Sequence, residues 1–480
     1  MAKPRKVWSS VALISIVMLS ASLFQIACAA QLNNSQNLPG GDQHTAAPNP
    51  EAGEDNPYVP TNGPAIGDLM HLFDFNHLRS NTQHLPQQSA ATPGKLFTAR
   101  GISKQSYRRD FSPLSRQLMP IGERISTTQV ASGVILSTEV IHTAAGRDLV
   151  YILDVDLTNP NIRLGIVQAY NRLISPDSTL TLMANSTGAV AGINGDYFEI
   201  YGSGVPIGEE VINRHLLHSP NPHYLAVLGV TSAGRLTIRP EVFTGSVVDG
   251  KASHTLFSLN HFSEWYNGRL LLFNSDLGEP VYVGGDPVAM IQPVADSPGS
   301  YIVRSVKSSV TQLPTLSKQD ALLGAGEAGL WLVRTLHVGD HIRITTSISP
   351  DPDLFQAIGG GPVVVKNGAL FYDPHPPAPG EVYQRNALTA VGVSRDGTHA
   401  FLTVFDGSPS DPVGSRGLTY FEAAHFMLAL GCYNAMLLDS GRSSEMVARL
   451  HGHHRVSIIN RPSGGSESPL ANGFFIYSNG

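Results

Sequence analysis

Two stretches of this sequence share one design: SPDSTLTLMANSTGAVAGINGDYF at residues 175–198 and GLTYFEAAHFMLALGCYNAMLLDSGRSS at residues 417–444. Each begins with a segment that predicts a short helix, which ends at a glycine, Gly188 in the first and Gly431 in the second. A run of apolar residues then predicts a buried strand that leads into a polar, glycine-containing turn. Rigid strand ends of this kind commonly carry binding and catalytic side chains.

The surrounding sequence predicts many short strands and few helices. Thr419 and Glu422 have the spacing of a capping box, which marks the start of the second helix. The remaining predicted strands are SGVILSTEVIHT (132–143) and RDLVYILDVDL (147–157), which read as a hairpin, NIRLGIVQAY (161–170), His399–Phe405, Val363–Lys366 and Val456–Ile459. We therefore predict an α+β protein with a mixed β-sheet core and few helices.

The composition agrees with a sheet-rich, turn-rich protein. Charged residues make up 15% of the chain, against about 25% in typical soluble domains. The chain also contains 47 glycines and 33 prolines. This composition argues against a coiled coil, a helical bundle and a charged disordered protein. The net charge of −6 and the lack of a basic block argue against nucleic-acid binding.

The N-terminal sequence predicts export. A basic start at residues 3–6 precedes an apolar run from Val7 to Phe24, and small residues follow at 27–30. This is the layout of a cleaved signal peptide, and a retained membrane anchor is the alternative. After cleavage Cys432 would be the only cysteine, which excludes an intrachain disulfide. We expect a bacterial protein of the periplasm, cell envelope or extracellular space.

Three parts of the chain are predicted from composition. Residues 1–30 form the signal peptide, and residues 31–120 form a low-complexity, flexible spacer. The spacer is rich in Asn, Gln, Pro and Gly, so it cannot bury enough apolar surface to offset the entropy of ordering. Residues 127–480 carry the strand-like pattern and form the predicted domain.

Three acids lie in the predicted strand-end turns: Asp196, Asp406 and Asp439. A pair of carboxylates can cleave a glycosidic bond, because one protonates the leaving oxygen while the other activates water or attacks carbon. The same acids could bind a metal ion. The third possibility is that they are ordinary turn residues, since Asp-Gly and Asn-Gly are common turn dipeptides.

Six blocks of the sequence resemble, in the expected order, the motifs of the phosphodiester glycosidase family. The blocks are AGINGDYF (191–198), GVPIGEEV (204–211), AIGGGPVVVKNG (357–368), TAVGVSRDGTHAFLTVFDG (389–407), the stretch at 417–444, and VSIINRPSGGSESPLANGFFIY (456–477). The resemblance extends over about residues 127–480. It implies hydrolysis of the glycosidic bond of a sugar-1-phosphodiester, in an envelope or extracellular glycan.

The resemblance also implies which residues form the site. The implied catalytic acids are Asp439, Asp406 and Asp196. The implied substrate-binding residues are Asn194, Gly195, Phe198, Gly359, Gly360, Arg442, Ser443 and Ser444. The implied partner is a glycan or sugar-phosphate substrate, whereas the cofactor and the metal requirement stay open.

The sequence departs from the family pattern at several motif positions. Leu388 stands where the family has an arginine, and Arg385 lies three residues earlier. Arginine suits phosphate recognition through two parallel hydrogen bonds, which leucine cannot make. Arg442 stands at a glycine position, where it either restores the positive charge or fills the pocket. Glu445 replaces a common threonine, and Ser468 replaces an arginine.

These departures leave two alternatives to an active glycosidase of this family. The first is a catalytically degenerate, glycan-binding envelope protein on the same scaffold. The second is a metal-dependent hydrolase that uses the turn acids or the histidines of HGHH (451–454), which we expect instead to be an exposed hairpin tip. His215, His218 and His223 follow the GVPIGEEV block and are further candidates for the cleft.

Overall fold

The computed structural model describes residues 122–143, 145–200, 202–220, 226–261, 268–371, 382–407 and 414–479. The predicted signal peptide and spacer lie outside these residues, so both stay predictions. In the part of the chain that is described, no helix has the length and hydrophobicity required to cross a membrane.

The described residues form 25 strands and three α-helices. The strands are β1 (Glu123–Ala131), β2 (Val134–Thr143), β3 (Gly146–Asp156), β4 (Ile162–Gln168), β5 (Ala191–Asn194), β6 (Glu210–Ile212), β7 (His215–His218), β8 (Ala226–Thr231), β9 (Leu236–Arg239), β10 (Val242–Asp249), β11 (Ala252–Leu259), β12 (Leu270–Phe273), β13 (Val281–Pro293), β14 (Ser300–Leu313), β15 (Asp320–Gly324), β16 (His341–Ser349), β17 (Leu354–Gly360), β18 (Val363–Lys366), β19 (Ala369–Leu370), β20 (Leu388–Ser394), β21 (His399–Phe405), β22 (Cys432–Leu437), β23 (Met446–Ala448), β24 (Ser457–Ile458) and β25 (Asn472–Ser478). The helices are α1 (Leu180–Thr187), α2 (Gly326–Thr335) and α3 (Tyr420–Leu430).

These strands form three open sheets and one closed barrel. An eight-stranded sheet has the order β1-β2-β3-β21-β20-β22-β18-β19, and the barrel has the order β10-β11-β12-β15-β13-β14-β16. The β17 sheet has the order β7-β6-β17-β8-β9, and the β5 sheet has the order β24-β23-β5-β25-β4. The barrel lies between β9 and β17 in the chain, so it is an insertion into the β17 sheet.

The predicted preponderance of sheet over helix is confirmed. One parallel pair, β11 with β12, makes the barrel a mixed sheet, whereas the eight-stranded sheet is antiparallel throughout. With three short helices beside so many strands, α+β is a loose description, and the molecule is better described as mainly β.

Apolar side chains cover both faces of the eight-stranded sheet. On one face, Leu153 belongs to a core cluster with Leu228 of the β17 sheet and Ile193 of the β5 sheet. On the other face, Phe405 lies in a cluster with Met427 of α3. Burial of this kind contributes about 25 cal/mol for each Å² of apolar surface removed from water. The central strands are therefore held from both sides, and their ends form a rigid base for the turns that follow them.

The helix-strand-turn design predicted for both opening stretches is confirmed. Helix α3 begins with a capping box, in which the Thr419 side chain accepts a hydrogen bond from the Glu422 N–H and the Glu422 side chain bonds back to Thr419. Gly188 and Gly431 end α1 and α3 in the left-handed conformation, which glycine adopts without a steric penalty. The predicted hairpin is formed by β2 and β3.

Candidate active site at the strand ends

Asn194 joins three strand ends at the centre of the site. Its side chain is fully buried, and its Nδ2 donates to the backbone oxygen of Asp439 at 2.7 Å. The Thr389 hydroxyl and the Glu445 N–H both donate to its Oδ1, at 2.7 and 3.1 Å. Because three chain segments bond to this one amide, Asn194 attaches the turn after β22 to the end of β5.

Asp196 and Asp439 form a neighbouring pair of carboxylates, called here the Asp196–Asp439 pair. The Asp439 N–H donates to the oxygen of Gly195 at 3.0 Å, and the Gly208 N–H donates to Asp196 Oδ2 at 2.6 Å. Burial raises the pKa of Asp196 well above its usual value, and the negative charges of Glu210 and Asp439 raise it further. Asp439 is partly exposed, so it is the member of the pair that solvent and a substrate can reach.

The glycines of the AIGGGP block pack directly around Asp196. A Cβ on Gly359 would lie 2.5 Å from the Cα of Gly208 and 2.6 Å from Asp196 Oδ2. A Cβ on Gly360 would lie 2.6 Å from Met436 Cε. The Gly359 N–H donates to a backbone oxygen of the protein at 2.8 Å, so this N–H is not available to a substrate. Glycine at 359 is therefore required for close packing against a carboxylate.

Glu210 and Asn472 support the pair, and neither was predicted as a site residue. The Asn472 Oδ1 accepts from the Asp196 N–H at 2.9 Å, and its Nδ2 donates to Glu210 Oε1 at 3.1 Å. Gln168 Nε2 donates to the other Glu210 oxygen at 2.6 Å. Burial raises the pKa of Glu210 to about 7, although both amide hydrogen bonds favour its charged form. Both residues lie inside blocks that resemble the family, which is the one signal by which they could have been found.

Asp406 forms a second centre, called here the Asp406 centre. Its Oδ1 accepts from the Arg461 N–H at 3.0 Å and from Asn460 Nδ2 at 3.3 Å. Burial, together with the negative charge of Asp406, raises the pKa of Tyr151. Burial raises the pKa of Asp406 to about 6, against the opposing effects of these hydrogen bonds and of the Arg461 charge. Asp406 therefore titrates close to neutral pH.

The turn after β22 connects the two centres. Asn460 Nδ2 donates to the Ser444 oxygen at 3.0 Å as well as to Asp406. Ser443 and Ser444 are both buried, and the Ser444 Oγ has no hydrogen-bond partner within the described residues. The next residue, Glu445, is fully buried, and burial raises its pKa to about 8. The structure thus connects Ser444 to the Asp406 centre through Asn460, with Ser443 buried next to it in the chain, and places the carboxylic acid Glu445, which the sequence marked only as a departure, directly after them.

Two exposed arginines lie at the segment 461–464 that follows Asn460. Arg442 is exposed, and its guanidinium lies beside Gly464, where a Cβ would be 3.0 Å from Nη2. Arg461 is also exposed, and its charge acts on Asp406. Across the described ranges, neither side chain makes an ion pair with an acid. Both positive charges therefore stay available to an anion.

The position at which the family has an arginine lies inside the hydrophobic core. Leu388 is fully buried in the cluster under α3. Arg385 donates to the oxygen of Gly417 at 2.7 Å and pairs with Glu422 at the start of α3. Arg385 is therefore held at the start of α3. The positive charge beside Asp406 comes instead from Arg461, in the block at 456–477.

Phe198 and the HGHH segment lie apart from the carboxylates. Phe198 is buried in an apolar cluster with Leu180 of α1 and Phe475 of β25, so it supports the fold around the site. The residues of 451–454 are exposed in the turn between β23 and β24, as predicted. No cluster of three or more His, Cys, Asp or Glu side chains suited to a metal ion occurs among the residues that the structure describes.

The histidines after the GVPIGEEV block have separate positions. His215 is exposed and its Nε2 lies 2.8 Å from Asp276 Oδ2, while His223 falls outside the described residues. His218 is buried, and its Nδ1 lies 2.6 Å from the oxygen of Gly208. Of the three candidates, His218 is therefore the one with a contact to the site.

Known structures share this fold at low sequence identity. A hypothetical protein from Synechocystis is 18% identical with a TM-score of 0.61, over 74% of this chain and 64% of the other. A Burkholderia pseudomallei protein described as exported is 20% identical with a TM-score of 0.55, over 69% and 74%. The chain thus spans about two thirds of the Synechocystis protein. At these identities the two proteins share the fold alone.

The catalytic domain of zebrafish N-acetylglucosamine-1-phosphodiester alpha-N-acetylglucosaminidase is 13% identical, over 77% of this chain and 94% of the other. Its TM-score of 0.39 is too low to support a conclusion. No functionally curated protein matches the chain significantly. A sequence profile of the phosphodiester glycosidase family matches residues 295–477. The resemblance predicted from the sequence blocks is therefore confirmed for residues 295–477, which match the phosphodiester glycosidase domain, while the blocks at 191–211 lie outside this match.

Proposed function

We propose that this protein is an exported glycosidase that hydrolyses the glycosidic bond of a sugar-1-phosphodiester in an envelope or extracellular glycan. The observation that carries the proposal is the joint arrangement of the Asp196–Asp439 pair and the Asp406 centre, with the charge of Arg461 acting on Asp406. Acids supply the proton transfers of glycoside cleavage, and guanidinium groups bind phosphate oxygens.

The reaction breaks the bond between the anomeric carbon and a phosphate oxygen. A water oxygen bonds to that carbon, and one water proton passes to a carboxylate acting as base. Asp439 takes this role because it is the most exposed of the three acids. Two neighbouring carboxylates resist double ionisation, so Asp196 holds a proton and leaves Asp439 charged.

The leaving group distinguishes this substrate from a plain glycoside. The phosphate departs carrying negative charge, so it needs protonation less than it needs nearby positive charge. Arg461 supplies that charge beside Asp406, and Arg442 adds a second positive charge beside Gly464. These two arginines, at other positions in the chain, take the place of the family arginine, at whose position this chain has Leu388.

A hydrolysis screen tests the proposal. The wild-type protein is incubated with N-acetylglucosamine-1-phosphodiesters and with plain N-acetylglucosaminides, with and without divalent metal ions. We expect sugar release from the phosphodiesters, and no release by the Asp439→Asn variant. Tight glycan binding without sugar release would overturn the proposal in favour of a glycan-binding protein. Release that is abolished by a chelator would instead identify a metal-dependent hydrolase.

Export is supported by the first 30 residues and by the Burkholderia relative that is described as exported. Mass spectrometry of the protein expressed from its full sequence in a bacterial host measures the mature N-terminus. We expect the mature chain to begin near residue 30 in the periplasmic or extracellular fraction. An intact N-terminus in the membrane fraction would indicate a retained anchor.

A further inference from the structure

Gly208 holds Asp196 from one side, and its conformation depends on its neighbours. Its N–H donates to Asp196 Oδ2 at 2.6 Å, and a Cβ at this position would lie 2.6 Å from the Cα of Gly359. Glycine has the widest backbone freedom of any residue. The direction of the Gly208 N–H therefore has to be fixed by contacts outside the residue itself.

His218 supplies such a contact on the carbonyl side of Gly208. Its Nδ1 lies 2.6 Å from the Gly208 oxygen. A carbonyl oxygen only accepts hydrogen bonds, so the proton of a neutral His218 ring is on Nδ1. The ring is 1% exposed, and burial together with the nearby His261 lowers the pKa of His218 well below its usual value. His218 is therefore a neutral, single-tautomer donor at the edge of the site.

The barrel fixes the ring of His218 in turn. His261, which follows β11, stacks on it with ring centroids 4.6 Å apart and an angle of 25° between the planes. The Ser219 N–H donates to the Leu259 oxygen at 3.0 Å, and the Leu259 N–H donates to Ser219 Oγ at 3.1 Å. These bonds attach the end of β7 to the barrel, so His218 has contacts on the barrel side and on the Asp196 side.

We propose that His218 is a positioning residue that fixes the Gly208 carbonyl, and thereby the Gly208 N–H that holds Asp196, using the barrel residue His261 as its support. This role deepens the proposed function, because it assigns the barrel insertion a part in arranging the pair. His218 does not touch the substrate, and its effect passes through the backbone of Gly208.

Two substitutions separate the hydrogen bond from the packing. His218→Leu fills the space without a donor, while His218→Asn keeps an amide donor close to the position of Nδ1. For His218→Leu we expect kcat on the phosphodiester to fall about tenfold or more, with KM little changed, since misplacement of a catalytic group acts mainly on the chemical step. The Asn variant should retain most of the activity. The matched control His425→Leu, on α3 against Phe421, should leave kcat unchanged.

A spectroscopic readout tests the positioning role without enzyme activity. Labelling isoleucine carbonyls with ¹³C and glycine nitrogens with ¹⁵N selects the amides of Ile-Gly pairs, which occur at 66–67, 121–122, 207–208 and 358–359. A hydrogen bond to a carboxylate holds the Gly208 amide proton downfield, so we expect an upfield move in His218→Leu, and recovery in His218→Asn. The signal at 121–122 serves as the internal control.

The outcomes are distinct. An unchanged Gly208 signal in a folded His218→Leu protein would overturn the positioning role, whatever the activity. If the wild-type protein hydrolyses no sugar-1-phosphodiester but the Gly208 signal moves as expected, the proposed function fails and the positioning role stands. If the Leu variant does not fold, the Asn variant decides, because loss of the downfield Gly208 signal in a folded Asn variant contradicts the role of the donor.

Discussion

The Asp196–Asp439 pair and the Asp406 centre both contain a buried carboxylate, but the charges around them differ in sign. Asp196 has Asp439 and Glu210 as its charged neighbours, and both raise its pKa. Asp406 has the positive charge of Arg461 and hydrogen bonds from the Arg461 N–H and Asn460, and all three oppose the effect of burial. The like charges therefore raise the pKa of Asp196 beyond the effect of burial, whereas the pKa of Asp406 is raised only to about 6. In the proposed reaction, proton transfer belongs to the first region, and binding of an anion fits the second.

The largest expected effect comes from Asp439→Asn, which removes the base of the pair. We expect kcat to fall about 1,000-fold, within the range for loss of a positioned general base, while the thermal unfolding midpoint stays close to that of the wild type. Steady-state hydrolysis of the phosphodiester measures the change. The exposed Asp296→Asn in the barrel is the matched control, and an equal loss there would contradict the assignment.

Gly359→Ala tests whether close packing holds the pair in place. The new Cβ would collide with Asp196 and with the Cα of Gly208, so we expect about a 100-fold loss in kcat and a destabilisation of about 1–3 kcal/mol. Urea denaturation and hydrolysis rates measure the two effects. Gly165→Ala, where the added Cβ meets the Tyr477 ring at 3.1 Å, is the control away from the site. Full activity of Gly359→Ala would show that the packing is not required.

Arg461→Gln removes the positive charge that acts on Asp406. We expect KM for the phosphodiester to rise about tenfold, which corresponds to one charged hydrogen bond, with a smaller change for a plain glycoside. Because the Arg461 charge lowers the pKa of Asp406, that pKa should rise above about 6 in the variant. A ¹³C NMR titration of the Asp406 carboxyl group measures this rise. Arg334→Gln, exposed on α2, controls for the loss of surface charge.

The smallest effect on turnover is expected for Glu445, which lies between the two regions. Its folded pKa of about 8 lies above the ordinary value of 4.5, so the folded state binds the proton more tightly than the unfolded state. The contribution of Glu445 to the free energy of unfolding is therefore fully present below pH 4.5 and is lost as the pH rises towards 8. Urea denaturation from pH 5 to 8 should give a falling free energy of unfolding, and Glu445→Gln should flatten that fall. An unchanged slope would assign the pH dependence to other groups.

Local signals predicted the elements that carry the site. The capping-box spacing of Thr419 and Glu422 and the glycine at 431 depend on neighbours a few residues apart, so they can be read from the sequence. The role of Asn472 could not be predicted in this way, because it bonds to Glu210 from 262 residues away. Whether Arg385 or Arg461 reaches Asp406 likewise depends on long-range packing. The closed barrel could not be predicted from local patterns, because its closure depends on strand pairings across its whole length.

The first and last strands of the barrel bring the two ends of the inserted segment together. Val242, at the start of β10, pairs directly with Ser349, at the end of β16, so the inserted segment leaves and rejoins its host sheet at almost the same point. Such an arrangement permits a segment to be exchanged, enlarged or removed without moving the strands that it interrupts. Diversification of this region would therefore leave the turns of the candidate site intact and change chiefly the support that His261 offers to His218.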